Sequence, residues 1–229
     1  MRTVIALLLS LAALCAGCGG RPAEGPSSAS PEALLARFAD AIERLDGAAL
    51  AGCLDPASPG TKPVAALLTA AAKMLERQRD FDAAVRARFG AGSIERFTGG
   101  PEGMPVELVR RLETLRRDAR VEVEGTTARV MPGGEDPELR AAEPARMVQR
   151  DGVWFFEVAP YLPDDPNLCE SVEFLLGKLA DRYEKARELA GSAADEKAFA
   201  TALAELDADL ERRTRRVFET VEPFLRRHR

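Results

Sequence analysis

The spacing of apolar residues changes twice along this chain, and this change constrains the fold more than any other feature of the sequence. From Pro31 to about residue 117, apolar residues recur every three or four positions, as they do on one face of an α-helix. Between residues 120 and 158 they alternate with polar residues, as in half-buried strands, and the helical spacing returns from Pro166. Helices on either side of a block of strands predict an α+β fold.

Two hairpins are predicted within the alternating block. Gly125-Thr126 is a plausible turn between the first two strands. Asp151-Gly152 gives a stronger signal, because this dipeptide adopts the positive φ angles that a type I′ turn requires. The strands are expected at residues 120–124, 127–131, 145–150 and 153–158. We therefore expect a four-stranded antiparallel sheet packed on helices.

The first helix is expected to begin at Pro31, because Ser30 is a good N-cap and Glu32 suits the positive end of the helix dipole. Ser192 is expected to cap the last helix. Further helices are expected at residues 48–54, 64–89, 105–117 and 166–191, and residues 93–97 fit a short strand or an irregular segment. The apolar stripes of the last two helices predict that they pack together as an antiparallel hairpin.

The N-terminus has the pattern of a secretory signal. Arg2 is the only charged residue among residues 1–17, and apolar residues dominate from Val4 to Leu14. This stretch is shorter than the roughly 20 residues of a membrane-spanning helix. The Gly-, Pro- and Ser-rich residues 18–30 predict a flexible tether.

Ala16-Gly17-Cys18 resembles a bacterial lipobox, although Cys15 stands where that family usually has Leu. The resemblance implies cleavage before Cys18, lipidation (palmitate) of Cys18, and anchoring to the periplasmic face of the outer membrane, because Gly19 rather than Asp follows. Two or more acyl chains anchor a protein stably. The alternative is an ordinary signal peptide with Cys18 as an incidental thiol.

The composition excludes several classes of function. Hydrophobic residues make up 46% and charged residues 30%, as in a globular protein, and the net charge of −5 argues against general nucleic-acid binding. The only histidine, His228, lies beside the C-terminal residue, which excludes a His-rich metal site or a Ser-His-Asp arrangement in a core. We expect no metal and no cofactor.

The segment from Ala145 to Val158 is similar to the last hairpin of bacterial NTF2-like (cystatin-type cone) domains. It contains an apolar pair, a charged residue, Asp151-Gly152, then Val153-Trp154 and alternating apolar residues. The opening helices, residues 31–54, also resemble that family. The resemblance covers residues 31–162, and the C-terminal helical hairpin at residues 163–229 lies outside the family pattern.

The resemblance implies a curved sheet around a conical cavity. Residues that it makes candidates for the cavity are Arg129, Arg146, Trp154, Phe156 and Tyr161. A lone Trp in an alternating strand more often belongs to the core, and arginines on strands more often lie on an exposed face. Some members of the family are enzymes that use an Asp–His pair, and the His is missing here.

A non-catalytic envelope protein that binds a protein or small-molecule partner is therefore the preferred prediction. The alternative is an NTF2-type lyase, isomerase or hydrolase that uses carboxylate and Tyr groups alone. An arginine-rich C-terminus could contact anionic headgroups, although cations at a helix end also suit its dipole. These arginines are Arg212, Arg213, Arg215, Arg216, Arg226, Arg227 and Arg229.

Cys53 and Cys169 are the cysteines that remain beyond the signal and the lipobox. In an oxidising periplasm such a pair is a disulfide candidate. The alternative is that both are small buried apolar residues on helix stripes.

Overall fold

The computed structural model describes residues 28–90, 92–98, 120–131, 144–158 and 166–227. Its helices are α1 (Pro31–Glu43), α2 (Gly47–Ala51), α3 (Thr61–Phe89), α4 (Ser93–Thr98), α5 (Pro166–Ser192) and α6 (Glu196–Arg227). Its strands are β1 (Arg120–Glu124), β2 (Thr127–Met131), β3 (Ala145–Arg150) and β4 (Val153–Phe156). The expected α+β class is confirmed.

The chain divides into two compact units. The first comprises Met1–Thr69 and Leu108–Asp164, and the second comprises Ala70–Glu107 and Asp165–Arg229. Helix α3 therefore contributes its first residues to the first unit and the remainder to the second. The helix expected at residues 105–117 lies outside the described residues, as do the signal, the lipobox and Tyr161.

The sheet of the first unit is a four-stranded antiparallel meander in the order β1-β2-β3-β4. Both predicted hairpins are confirmed. Asp151 and Gly152 have φ angles of 52° and 80°, as the type I′ turn requires, and Gly125 has a φ of 62°. The last strand ends at Phe156, two residues earlier than expected.

One face of this sheet forms the core of the first unit together with α1. Its buried residues are Ala128, Val130, Ala145, Met147, Trp154 and Phe156. Helix α1 supplies Leu34, Leu35 and Phe38, and the Phe38 ring meets the Phe156 ring edge-on with 5.2 Å between centroids. Ser30 caps α1 as expected, since its Oγ accepts a hydrogen bond from Ala33 N.

The outer edge of β4 is covered by earlier parts of the chain. Trp154 N donates to Ser28 O, Phe156 N donates to Cys53 O, and Asp55 N donates to Phe156 O. The expectation that helix continues to Leu54 is therefore wrong: α2 ends at Ala51, and Leu54 forms a parallel bridge with Phe156. Cys53 O and Asp55 N bond to the sheet, whereas Cys53 N and Leu54 N still donate to Leu50 O and Ala51 O at the end of α2.

The second unit contains the later part of α3, with α4, α5 and α6. An aromatic cluster lies in its core, with Phe199 fully buried at the centre. The Phe199 ring centroid lies 4.9 Å from that of Phe97, 5.2 Å from that of Phe89 and 6.4 Å from that of Phe81. Contacts of this kind add to the hydrophobic gain from burial.

Two expectations for the second unit are wrong. Residues 93–97 belong to helix α4 rather than to a strand, and this helix begins at buried Ser93, whose Oγ donates to Gly90 O. Ser192 does not cap the last helix, because it is the last residue of α5 and its Oγ donates to Glu188 O. Asp195 has that role, since its Oδ1 accepts from Ala198 N at 2.8 Å.

Candidate functional site

The predicted cavity residues lie on two opposite faces of the sheet. Arg129 and Arg146 are Cα partners on β2 and β3, and both are exposed. Trp154 and Phe156 are buried on the other face, where Phe156 packs against α1. The structure therefore does not bring the arginines together with the aromatic residues, and Tyr161 lies outside the described residues.

The exposed face of the sheet carries a row of charges that crosses β1, β2 and β3 and ends at Glu157, the residue after β4. Glu122 on β1 is the Cα partner of Arg129, and Arg129 is the partner of Arg146. Beyond Arg146, Glu157 donates its N–H to Arg146 O. Opposite charges on neighbouring strands stabilise a sheet by about 0.2–1 kcal/mol per pair. The row places two arginines side by side between two glutamates.

A second charged arrangement joins the segment after α2 to the end of β3. Arg150 Nε and a terminal guanidinium nitrogen each donate to a carboxylate oxygen of Asp55 at 2.7 Å. Asp55 is 1% exposed, and Ala57 N also donates to its Oδ1. The hydrogen bonds from Arg150 hold the pKa of Asp55 below its usual range. Asp55 is therefore ionised at neutral pH and serves as a fixed anchor rather than as a proton donor.

A third arrangement is a set of buried polar groups in the second unit, on α3 and α5. Asp82 is 9% exposed, and burial raises its pKa to about 6 against the opposing charges of Arg86 and Arg182. Within the described residues its Oδ1 has no hydrogen-bond partner, and neither has Oε1 of buried Gln78, one helical turn earlier. A carboxyl group that titrates near neutral pH is a candidate functional group.

Arg182 and Tyr183 border this carboxyl group. Arg182 donates to both carboxylate oxygens of Asp207, at 2.8 and 3.0 Å, and its guanidinium lies over the rings of Phe81 and Tyr183. Burial raises the pKa of Tyr183 to about 12. The Arg182 guanidinium is ion-paired with Asp207, and the Tyr183 phenol stays protonated at neutral pH. Asp82 is therefore the group of this set that changes charge near neutral pH.

Neither Asp55 nor Asp82 was predicted as a site residue from the sequence. A signal for Asp82 is present, because Leu68, Leu75, Asp82 and Phe89 follow each other at intervals of seven on α3. That spacing places an acid on the buried stripe. No comparable signal in the sequence connects Asp55 with Arg150, since they are 95 residues apart.

Cys53 and Cys169 are both buried, and the structure records both as free thiols. Cys53 Sγ donates to Ala49 O at 3.3 Å, and burial raises its pKa to about 11 despite the nearby Arg37. Burial also raises the pKa of Cys169. Thiols with raised pKa values are poor nucleophiles and poor metal ligands. The structure thus agrees with the alternative of two buried thiols.

Three arginines of the last helix, Arg212, Arg213 and Arg215, form ion pairs along the helix. Asp209 pairs with Arg212 at 3.2 Å and with Arg213 at 2.7 Å, and Glu211 pairs with Arg215 at 3.6 Å. These pairs are exposed and individually weak. Contact of this end with anionic headgroups stays a prediction.

Within the described part of the chain, no group of three or more His, Cys, Asp or Glu residues is placed to hold a metal ion. No helix in that part combines the length and apolar character that crossing a membrane requires. Comparison of the chain with models of known protein families, with curated proteins and with solved structures gives no match.

Proposed function

We propose that this chain is a lipid-anchored, non-catalytic protein of the cell envelope that acts as an interaction module. The location rests on the signal pattern of residues 1–17 and on Cys18 in its lipobox-like context. Acylation of Cys18 and release of the signal would leave the protein anchored to the periplasmic face of the outer membrane by its lipid, on the tether of residues 18–30.

The fold that we propose for residues 31–162 is NTF2-like, followed by a C-terminal helical hairpin at residues 163–229. Support comes from the helices that precede the strands, from the meander of four antiparallel strands and from the packing of α1 on one face of the sheet. For the hairpin, support comes from the bidentate ion pair of Arg182 on α5 with Asp207 on α6.

The interaction role rests on one observation: one face of the sheet is buried in the core, and the other face is exposed and charged. Trp154 and Phe156 are both buried in the core, where the Phe156 ring packs against Phe38 of α1. Arg129 and Arg146 lie together on the exposed face. A partner would therefore meet the outer, charged face of the sheet, where electrostatic complementarity gives specificity.

The anchor is tested with Cys18→Ser, and Cys15→Ser is its matched control. Cells that express each full-length variant are labelled with a palmitate analogue and fractionated. We expect Cys18→Ser to lose the label and to accumulate as unprocessed precursor, and we expect Cys15→Ser to keep the label and the membrane fraction. Labelling that survives Cys18→Ser would overturn the anchor.

The interaction role is tested with a photo-crosslinking residue at position 129 in intact cells. We expect a discrete crosslinked product that disappears when Arg146→Glu is added, because this change reverses the charge beside the probe. The control probe replaces exposed Lys185 on α5. Equal products at both positions would overturn the proposal.

A further inference from the structure

The two edges of the sheet differ in how their backbone groups are used. At the β4 edge, Trp154, Phe156 and Asp55 take part in hydrogen bonds that cover the strand. At the other edge, β1 pairs with β2, and no further backbone partner for β1 is found among the described residues. An open edge is a template on which another strand can pair.

The hydrogen-bond pattern identifies which groups of β1 face outwards. Gln149 N donates to Thr126 O, so the even-numbered residues of β2 direct their backbone groups to β3 and the odd-numbered ones to β1. In β1, the partners of those odd-numbered residues are Arg120, Glu122 and Glu124. Val121 and Val123 therefore direct their N–H and C=O groups away from β2, towards the open edge.

Four of the five side chains of β1 are exposed, and Val121 is half-buried. Val123 is 51% exposed although it lies on the apolar face, opposite buried Ala128. Arg120, Glu122 and Glu124 are exposed on the charged face. The strand thus presents an alternating sequence with one apolar side and one charged side.

This strand is complementary to a second copy of itself. When two copies run antiparallel with Glu122 at the symmetry axis, Arg120 of each lies opposite Glu124 of the other, and Val121 lies opposite Val123. The two valine pairs then exchange four backbone hydrogen bonds, and both apolar sides stay on the same face of the joined sheet. Each Arg120–Glu124 pair also places opposite charges across the junction.

We propose that two copies of this chain associate through β1 edges, which joins their sheets into one antiparallel sheet of eight strands. The interface is isologous, as in most homodimers, and it covers the exposed Val123 with Val121 of the partner copy. Arg120 and Glu124 of β1 lie opposite residues of the other charge when the second strand is another copy. A strand with a different order of charges would place like or unpaired charges opposite them. The Glu122–Glu122 contact at the axis is unfavourable and is moderated by Arg129, which faces Glu122 on β2.

The register is tested by cysteine crosslinking of the full-length chain under mild oxidation, read on non-reducing gels. Glu122→Cys should give a band at twice the chain mass, because directly opposite residues lie about 4.5–5.5 Å apart, within disulfide reach. Arg129→Cys is the matched control, since two copies of position 129 are separated by three strand spacings, about 14 Å. The wild-type chain reports any crosslinking through the native cysteines.

A second pair of variants makes the test independent of Glu122. Chains with Arg120→Cys and chains with Glu124→Cys, carrying different tags, are expressed together and separately. We expect crosslinks between the two variants and none within either one. Equal bands for Glu122→Cys and Arg129→Cys, absence of the mixed product, or a product whose mass shows a different chain would overturn the second-copy proposal.

Association strength gives a third readout by analytical ultracentrifugation of the detergent-solubilised chain. Glu122→Gln should tighten dimerisation by about two- to fivefold, because it removes the like-charge pair. Val123→Pro removes an N–H that points to the partner and leaves the β1–β2 hydrogen bonds in place. It should weaken dimerisation by about tenfold or more, and an unchanged dimer would contradict the proposal.

Discussion

Arg150 donates two hydrogen bonds of 2.7 Å to Asp55, a residue that lies 95 positions earlier in the chain and is almost completely buried. The contact holds the segment after α2 against the end of β3. It also fixes where that segment can pair with β4, since Asp55 N donates to Phe156 O. A charged pair thereby supports the covered edge of the sheet.

The first prediction concerns this pair. Arg150→Met keeps most of the aliphatic stem and leaves the carboxylate of Asp55 buried without its main donor. We expect the free energy of unfolding at pH 7 to fall, because Asp55 stays buried while the half-exposed arginine that pairs with it is lost. Urea unfolding measures it, with Arg129→Met as control, and an equal loss in the control would contradict a specific role for the pair.

The pH dependence of the same pair has a definite sign. Because the pKa of Asp55 is lowered from 3.8, its stabilising contribution is present above that pH and is lost as the pH falls through the lower folded value. Arg150→Met should therefore flatten the loss of stability below pH 3.8. A wild-type and a variant profile that run parallel in this window would show that Arg150 is not the cause.

The second prediction concerns the close approach of α2 to α3. A Cβ at Gly47 would lie 2.6 Å from the Cα of Thr69, and backbone cannot move away as a side chain can. We expect Gly47→Ala to lower the melting temperature by several degrees, which corresponds to about 1–3 kcal/mol. Gly52→Ala is the control, because the added methyl would meet the flexible end of Arg37. The same small shift in both variants would contradict the prediction.

The third prediction concerns Asp82. Its pKa is raised from 3.8 to about 6, so the folded state binds this proton more tightly than the unfolded state does. The resulting stabilisation is complete below pH 3.8 and is lost as the pH rises through about 6. At about 1.4 kcal/mol per pKa unit, Asp82→Asn should be more stable than wild type at pH 8 by up to about 3 kcal/mol.

Denaturant unfolding between pH 4 and pH 8 measures this effect. The wild type should lose stability across the window, whereas Asp82→Asn should show a flatter profile. Asp181→Asn on the exposed side of α5 is the control and should follow the wild type. If Asp82→Asn lowers stability at pH 8, the carboxylate has a partner that the buried-acid interpretation does not include.

The fourth prediction concerns the thiols. Since Cys53 and Cys169 are free and buried with raised pKa values, we expect slow alkylation of both in the folded protein. After denaturation without reductant, mass spectrometry should find both residues fully alkylated. Two unmodified cysteines under those conditions would instead support the disulfide.

The sequence predicts correctly those elements that depend on residues close together in the chain. Ser30 and the turn residues Asp151 and Gly152 act on their immediate neighbours, so the start of α1 and the second hairpin follow from them. Ser192 and Asp195 are both good capping residues, and the choice between them depends on how far α5 continues. The capping preferences of single residues do not predict where α5 ends.

The pairings between distant segments could not be predicted. The extended conformation of Leu54 depends on its bridge with Phe156, and no residue near Leu54 signals a strand. The candidate cavity combined Arg129 with Trp154, and the alternation of strand residues places them on opposite faces once the register is known. The register between β2 and β3 follows from the packing of the buried face, because these two strands are not joined by a two-residue turn.

The covered edge of the sheet also constrains the order in which the first unit can form. Hairpins close locally and rapidly, so β1 with β2 and β3 with β4 can each pair as soon as their residues have been synthesised. Ser28 and Asp55, in contrast, cannot form their hydrogen bonds until β4 has been synthesised, about 100 to 125 residues later. Any truncation before β4 leaves α1 without Phe156, so an incomplete chain exposes the apolar side of its first helix.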